Sequence, residues 1–257
     1  MTKAVEDRIL IFGWLELAAA VVGGVGLVFT GFPSRVAIEF AIASAALHVV
    51  YNFALMNAYR LGAFNQMYPV ARGTSPLVVA LGAAVFAHEH LGGLALAGVA
   101  ILAVGLMSLA FSSGLPGRRD VPALGAAVAT GLAIAAYTLV DGLGVRHTAD
   151  PFAYTALLFL MQGPVFIGLA VVRRPVREWT AGGIAWRGLL AGCLSVAAYG
   201  AVIWAQTKAP LAEVAALRET GVVSAAVIGA LFFKEGFGFR RIIAAGVVAL
   251  GIVLISI

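Results

Sequence analysis

The stretch Tyr68-Pro-Val-Ala-Arg72-Gly-Thr-Ser-Pro76, continued to Glu89, decides the reading of this chain together with Val214-Ala-Ala-Leu-Arg218-Glu-Thr-Gly221, continued to Glu235. The two align without a gap at an offset of 146 residues. Arg72 falls on Arg218, Thr74 on Thr220, Phe86 on Phe232, Glu89 on Glu235, Gly92 on Gly238 and Gly105 on Gly251. Upstream, Glu16 falls on Gln162 at the same offset. Alanine matches mean little in so apolar a chain, but an Arg and a Glu seventeen residues apart in both copies carry information. A repeat of this length points to a duplicated unit, and membrane transporters are commonly built that way.

The composition around these stretches agrees. Of 257 residues, 62% are hydrophobic and 11% charged, against about 25% charged in an ordinary soluble domain. There are too few charges to give a large apolar core a water-facing surface, so lipid is the expected solvent. The net charge is +5, yet the basic residues stand between apolar runs rather than in one patch. That excludes a nucleic-acid surface and fits the charge bias of membrane loops. Cys193 is alone, so no disulfide framework or metal-ligand spacing exists. No removable signal peptide is evident, because the first apolar run contains Glu16.

A helix needs about 20 apolar residues to cross the hydrocarbon. Nine segments qualify: 9–30, 36–57, 64–87, 91–112, 121–143, 151–172, 186–206, 210–233 and 238–257. Helix is the expected form, since a spanning segment must satisfy its own backbone hydrogen bonds. The fold class expected is therefore an all-α transmembrane bundle. Residues 1–115 form a first repeat of four helices and 116–257 a second repeat of five. The fifth segment has no partner before Met1, so the parent is five plus five with the first helix absent here: either that helix was lost or the true start lies upstream.

Five is odd, so consecutive repeats enter the membrane in opposite directions and are inverted. Twelve Lys and Arg, among them Arg118, Arg119, Arg240 and Arg241, fall on the N-terminal side, and three, Arg35, Arg146 and Lys208, on the other. The positive-inside rule then places the N-terminus in the cytoplasm and Ile257 outside.

The two quoted stretches resemble the EamA-like branch of the drug/metabolite transporter superfamily, and the likeness runs over nearly the whole chain. The resemblance implies a ten-helix, two-repeat carrier of the inner membrane working by alternating access, with its solute pocket in the middle of the bundle. It says little about the solute, because that branch handles very different ones. Members of known structure have both termini in the cytoplasm, which differs from the charge count above.

Arg72 and Arg218 each lie about eight residues into a helix, on the order of 12 Å deep at about 1.5 Å per residue. A charge near the membrane centre costs roughly 2.5–3.5 kcal/mol on insertion scales, so each must face a cavity, a partner or the interface. They either bind a polar or anionic solute or pair structurally with a carboxylate such as Glu213 or Glu219. Tyr68 shares the face of Arg72, one turn away. Pro69 and Gly73 bracket that turn, with Pro76 further on, and predict an unwound segment or a packing kink. Glu213, Glu219 and Glu16 are the candidate proton carriers, the alternative being interhelical hydrogen bonds. His48 and Asn52 share a face, as do Tyr137 and Asp141, the alternative for Asp141 near its helix end being a cap. Tyr199 and Trp204 offer aromatic surface for a solute, Trp204 also fitting an interfacial anchor. Glu89 and Glu235 are expected to be structural, and Gly188 and Gly192 to form a close-packing helix face.

Other chemistries lack their residues. No phosphate loop occurs, and with three Lys in all the chain has no ATP-binding motif. His88-Glu-His90 lacks the four-residue spacing of a zinc protease helix, so no metal and no cofactor is expected, and no catalytic cluster suggests an enzyme. The function expected is secondary transport, by export, of a small polar metabolite, anionic or amino-acid-like. The alternatives are a non-transporting scaffold, a flippase component or an inactive truncated carrier. The partners expected are the solute and the lipid bilayer, with a homodimer left open.

Overall fold

A computed structural model describes residues 2–111, 117–173, 175, 178–179, 183–222, 224 and 239–255. Among them are nine α-helices and no strand: α1 Thr2–Thr30, α2 Arg35–Leu61, α3 Phe64–Phe86, α4 Gly93–Ala110, α5 Val121–Val145, α6 Pro151–Arg173, α7 Ile184–Gln206, α8 Leu211–Arg218 and α9 Phe239–Ile255. A single 3₁₀ turn, Arg118–Asp120, precedes α5. The first seven helices are long and apolar enough to cross a membrane, and the chain is a multi-pass membrane protein. Its outward apolar side chains agree: Val28, Phe29 and Val172 are each more than four-fifths exposed, an arrangement lipid tolerates and water does not.

The helices differ from the sequence expectation in two places. The prolines of α3, Pro69 and Pro76, sit inside a helix that continues through both, so of the two readings, unwound segment or packing kink, the unwound segment is not formed. The interruption lies in the second copy instead, where α8 stops at Arg218, Glu219 forms a turn and helix resumes at residues 220–222. Residues 223 and 225–238, with Phe232, Lys234, Glu235 and Gly238, lie outside the described residues, as do the C-terminal two residues of the ninth span.

The chain divides into two compact units, Met1–Val49 with Val140–Lys208, and Val50–Leu139 with Ala209–Ile257. Neither unit is one stretch of sequence, and each draws helices from both halves of the chain.

In unit 1, α1 packs against α6 and α7. Small residues let the backbones meet. A Cβ on Gly163 would stand 2.7 Å from the Ala20 Cβ, and one on Gly13 2.7 Å from the Ala170 Cβ, which makes α1 and α6 antiparallel. Gly188 and Gly192 are the close face that their spacing suggested: Gly188 lies on Trp14 and Ile11, Gly192 on Leu15 and Ala18. A Cβ on Gly192 would press into the Leu15 carbonyl oxygen and the Ala18 Cβ, the latter at 2.7 Å. Gly192→Ala is therefore expected to lower stability in detergent by about 1–3 kcal/mol, the usual cost of overpacking. An unshifted thermal unfolding midpoint would show that α1 and α7 do not meet there.

In unit 2, α4 packs against α3 and α9, and α3 against α8. The α4–α9 contact is antiparallel and reciprocal. A Cβ on Gly105 would meet Val248 at 2.9 Å, and a Cβ on Gly251 would meet the Leu102 backbone at 2.7 Å. Positions 105 and 251, and 102 and 248, are each separated by the repeat offset of 146.

Glu89 shows what the repeated acid does in the first copy. The chain leaves α3 through His88, whose φ is 53°, and the Glu89 N–H returns to the Ala83 carbonyl at 3.1 Å. Its side chain accepts a hydrogen bond from the Leu211 N–H at 2.7 Å, at the first turn of α8. A carboxylate there satisfies an orphan donor and complements the helix dipole. Glu89→Ala is expected to cost about 1 kcal/mol, as loss of a helix cap does, measured as a lower unfolding midpoint that Glu89→Gln partly restores.

Candidate functional site

The polar centre of unit 2 forms where α3 faces the interruption after α8. Arg72 Nε donates to Glu219 Oε2 at 2.8 Å, and Arg72 Nη2 to the Arg218 carbonyl at 3.4 Å. The geometry follows from the broken helix. With Glu219 in a turn, the Val222 N–H closes on the Glu219 carbonyl at 2.9 Å, and the Arg218 carbonyl faces the guanidinium. Glu219 is fully buried and its second oxygen, Oε1, makes no hydrogen bond among the described residues. Arg218 acts on the same carboxylate.

Each Arg also lies over an aromatic face. The Arg72 guanidinium is 5.9 Å from the Tyr68 ring centre, so the shared helix face expected from their spacing is real. The Arg218 guanidinium is 5.8 Å from that of Tyr137, and Tyr51 meets Tyr137 edge-on at 5.5 Å. Rings placed this way attract a cation by about 0.5–2 kcal/mol, which helps two guanidiniums stay beside each other. Tyr51 was missed by sequence reasoning; a Tyr one residue before Asn52 carries no signal without a neighbouring helix.

The polar centre of unit 1 is different in character. Asp141 is fully buried and accepts hydrogen bonds from the Tyr154 hydroxyl at 2.9 Å and the Tyr199 hydroxyl at 2.6 Å. Ser44 and His48 face the same carboxyl group. His48 Nδ1 lies 2.9 Å from the Ser44 carbonyl and 3.2 Å from its hydroxyl, and the imidazole meets the Tyr199 ring edge-on at 5.5 Å. Asp141 is therefore no helix cap: it joins α5 to α6 and α7. Ser44 and Tyr154 were invisible in the sequence, because nothing in their spacing relates them to Asp141.

The remaining candidates separate. Glu16 is buried on α1 with Oε2 lacking a hydrogen bond among the described residues. It lies at the α1–α6 crossing, where its carbonyl is 3.1 Å from the position a Cβ on Gly163 would take, next to the buried Gln162 that the repeat equates with it. Glu213 is half-buried in the first turn of α8, a place where the helix dipole favours an acid. Asn52 is half-buried on α2, one turn beyond His48. Trp204 is 48% exposed near the end of α7, at a recess of about 330 Å³ that Arg146, Thr207 and Lys208 also line. That position suits an interfacial anchor.

Among curated proteins no relative matches. One crystal structure, described simply as that of a protein, aligns over 96% of this chain and 86% of its own with a TM-score of 0.78. At 17% identity that likeness is one of fold. The sequence profile of the EamA-like transporter family matches residues 121–257, more than half of the chain. The chain belongs to the EamA-like transporter family, whose members are membrane transporters of the drug/metabolite type.

Proposed function

We propose that this transporter is a secondary carrier that exports a small polar solute bearing an anionic group, an organic acid or an amino acid, across the inner membrane by alternating access. The carrying observation is the grouping of Arg72 and Arg218 around one carboxylate, Glu219. With all three ionised, the group holds two positive charges and one negative. Two guanidiniums gathered at one carboxylate form the kind of polar centre that recognises an anionic group through charge-assisted hydrogen bonds. The interrupted helix at Glu219 supports the same reading, since broken helices beside a solute expose backbone groups for binding. Glu219 is then both the resting partner of Arg72 and a candidate to take a proton during the cycle, with Glu213 and Glu16 as the other candidates.

Two inverted repeats, 1–115 and 116–257, are part of this proposal. Its support is that α1 with α6, and α4 with α9, are pairs that the offset equates, and that each pair is antiparallel. Repeats of the same direction would give parallel pairs. The cytoplasmic N-terminus rests on the distribution of Lys and Arg alone.

The test is counterflow in proteoliposomes. Vesicles loaded with an unlabelled organic or amino acid are diluted into a trace of its radiolabelled form, across a panel of such solutes and of organic cations. Transient accumulation of an acid or zwitterion is expected. Accumulation of cations alone would overturn the anionic assignment, and no counterflow with any solute would favour a scaffold or flippase component.

A further inference from the structure

We propose that Asp141, with His48, Tyr154 and Tyr199, holds one exchangeable proton inside unit 1 and is the coupling group of the carrier; the coupling, though not the proton, rests on the function proposed above. Four helices supply the cluster: α5 gives Asp141, α2 gives Ser44 and His48, α6 gives Tyr154 and α7 gives Tyr199. The groups that act on the Asp141 carboxyl are His48, Ser44, Tyr199 and Tyr154, none of them a Lys or Arg. The titratable groups that face Asp141 are His48, Tyr154 and Tyr199.

Charge then dictates the proton count. An ionised Asp141 beside neutral His48 leaves one uncompensated negative charge in a fully buried place, which is costly. One added proton removes it, either on His48 to make an imidazolium or on Asp141 to make a neutral acid. The neighbours suit both forms. His48 Nδ1 faces the Ser44 carbonyl, which can only accept, so Nδ1 carries a hydrogen and Nε2 is the nitrogen that gains or loses the second. Both Asp141 oxygens receive phenol hydroxyls, and a phenol can turn to accept when the carboxyl group itself becomes a donor. The proton enters from water, resides on Asp141 or His48, and returns to water when the cluster opens. No other atom changes hands.

A proton count on purified protein in detergent tests this without any solute. In weak buffer, wild type is expected to release one more proton per chain than Asp141→Asn across pH 5–9. A folded Asp141→Asn protein that releases as many protons as wild type would overturn the proposal. Should Asp141→Asn fail to fold, pH-jump infrared difference spectra of Tyr154→Phe and Tyr199→Phe answer instead. A carboxyl stretching band that moves when either hydroxyl is removed supports the cluster, and one unmoved by both overturns it. Absent counterflow with an intact proton count would sink the carrier reading and leave the proton site standing.

Discussion

Arg72→Ala is expected to destabilise the protein by about 3–5 kcal/mol, the cost of removing one partner from a buried ion pair. Glu219 is fully buried and Arg72 largely so, and Glu219 already has one oxygen without a hydrogen bond among the described residues. Alanine would take the hydrogen-bond partner from the other oxygen and leave Arg218 as the charge beside a buried carboxylate. The measurement is thermal unfolding in detergent, followed by tryptophan fluorescence. A second variant separates the charge from the packing. Arg72→Met combined with Glu219→Leu removes both charges and keeps apolar volume, so it should regain most of the lost stability while counterflow stays absent. If Arg72→Ala unfolds at the same temperature as wild type, the ion pair is not what holds α3 to α8.

Arg218→Ala should act on transport more than on stability. Arg218 is half-buried beside Glu219 and over Tyr137, and its removal leaves the Arg72–Glu219 pair in place. Truncating a charged group that binds an anion costs about 2–5 kcal/mol, so the half-saturating concentration of an anionic solute should rise at least ~30-fold. Membrane abundance should stay near that of wild type. Arg218→Lys should recover part of the affinity, because the charge returns but the planar fork does not. A parallel fall of abundance and flux would assign Arg218 to structure.

Much of this was legible before any coordinates. The offset that pairs Arg72 with Arg218 identified the two residues that meet at one carboxylate, and Glu219 stood among the candidate partners from the start. Charged side chains at depth are rare because they are expensive, so their presence is informative on its own. Gly188 and Gly192 were legible as a packing face for a similar reason, since spacing on a helix decides which residues share a side.

Other features were misread or unseen. Prolines normally mark a helix break, yet α3 runs through Pro69 and Pro76 and the break falls at Glu219, where no proline stands. Local propensity cannot reveal that, because the turn brings a buried carboxylate and a backbone carbonyl to an arginine on another helix. The position of Asp141 near the end of α5 allows either a shared face with Tyr137 or a cap. Its real partners, Tyr154 and Tyr199, lie 13 and 58 residues further on.

The sequence by itself determined that this chain lives in a bilayer, that it is helical, and that an Arg and other residues recur in its two halves. Those properties follow from apolar length, from the need of each span to satisfy its own hydrogen bonds, and from matches at one fixed offset. Only the tertiary structure decided which helices form each compact unit and which polar groups find one another inside it. That pairing is set by how closely backbones approach at glycine and alanine, and by the cost of leaving a buried charge alone, neither of which is written at any single position.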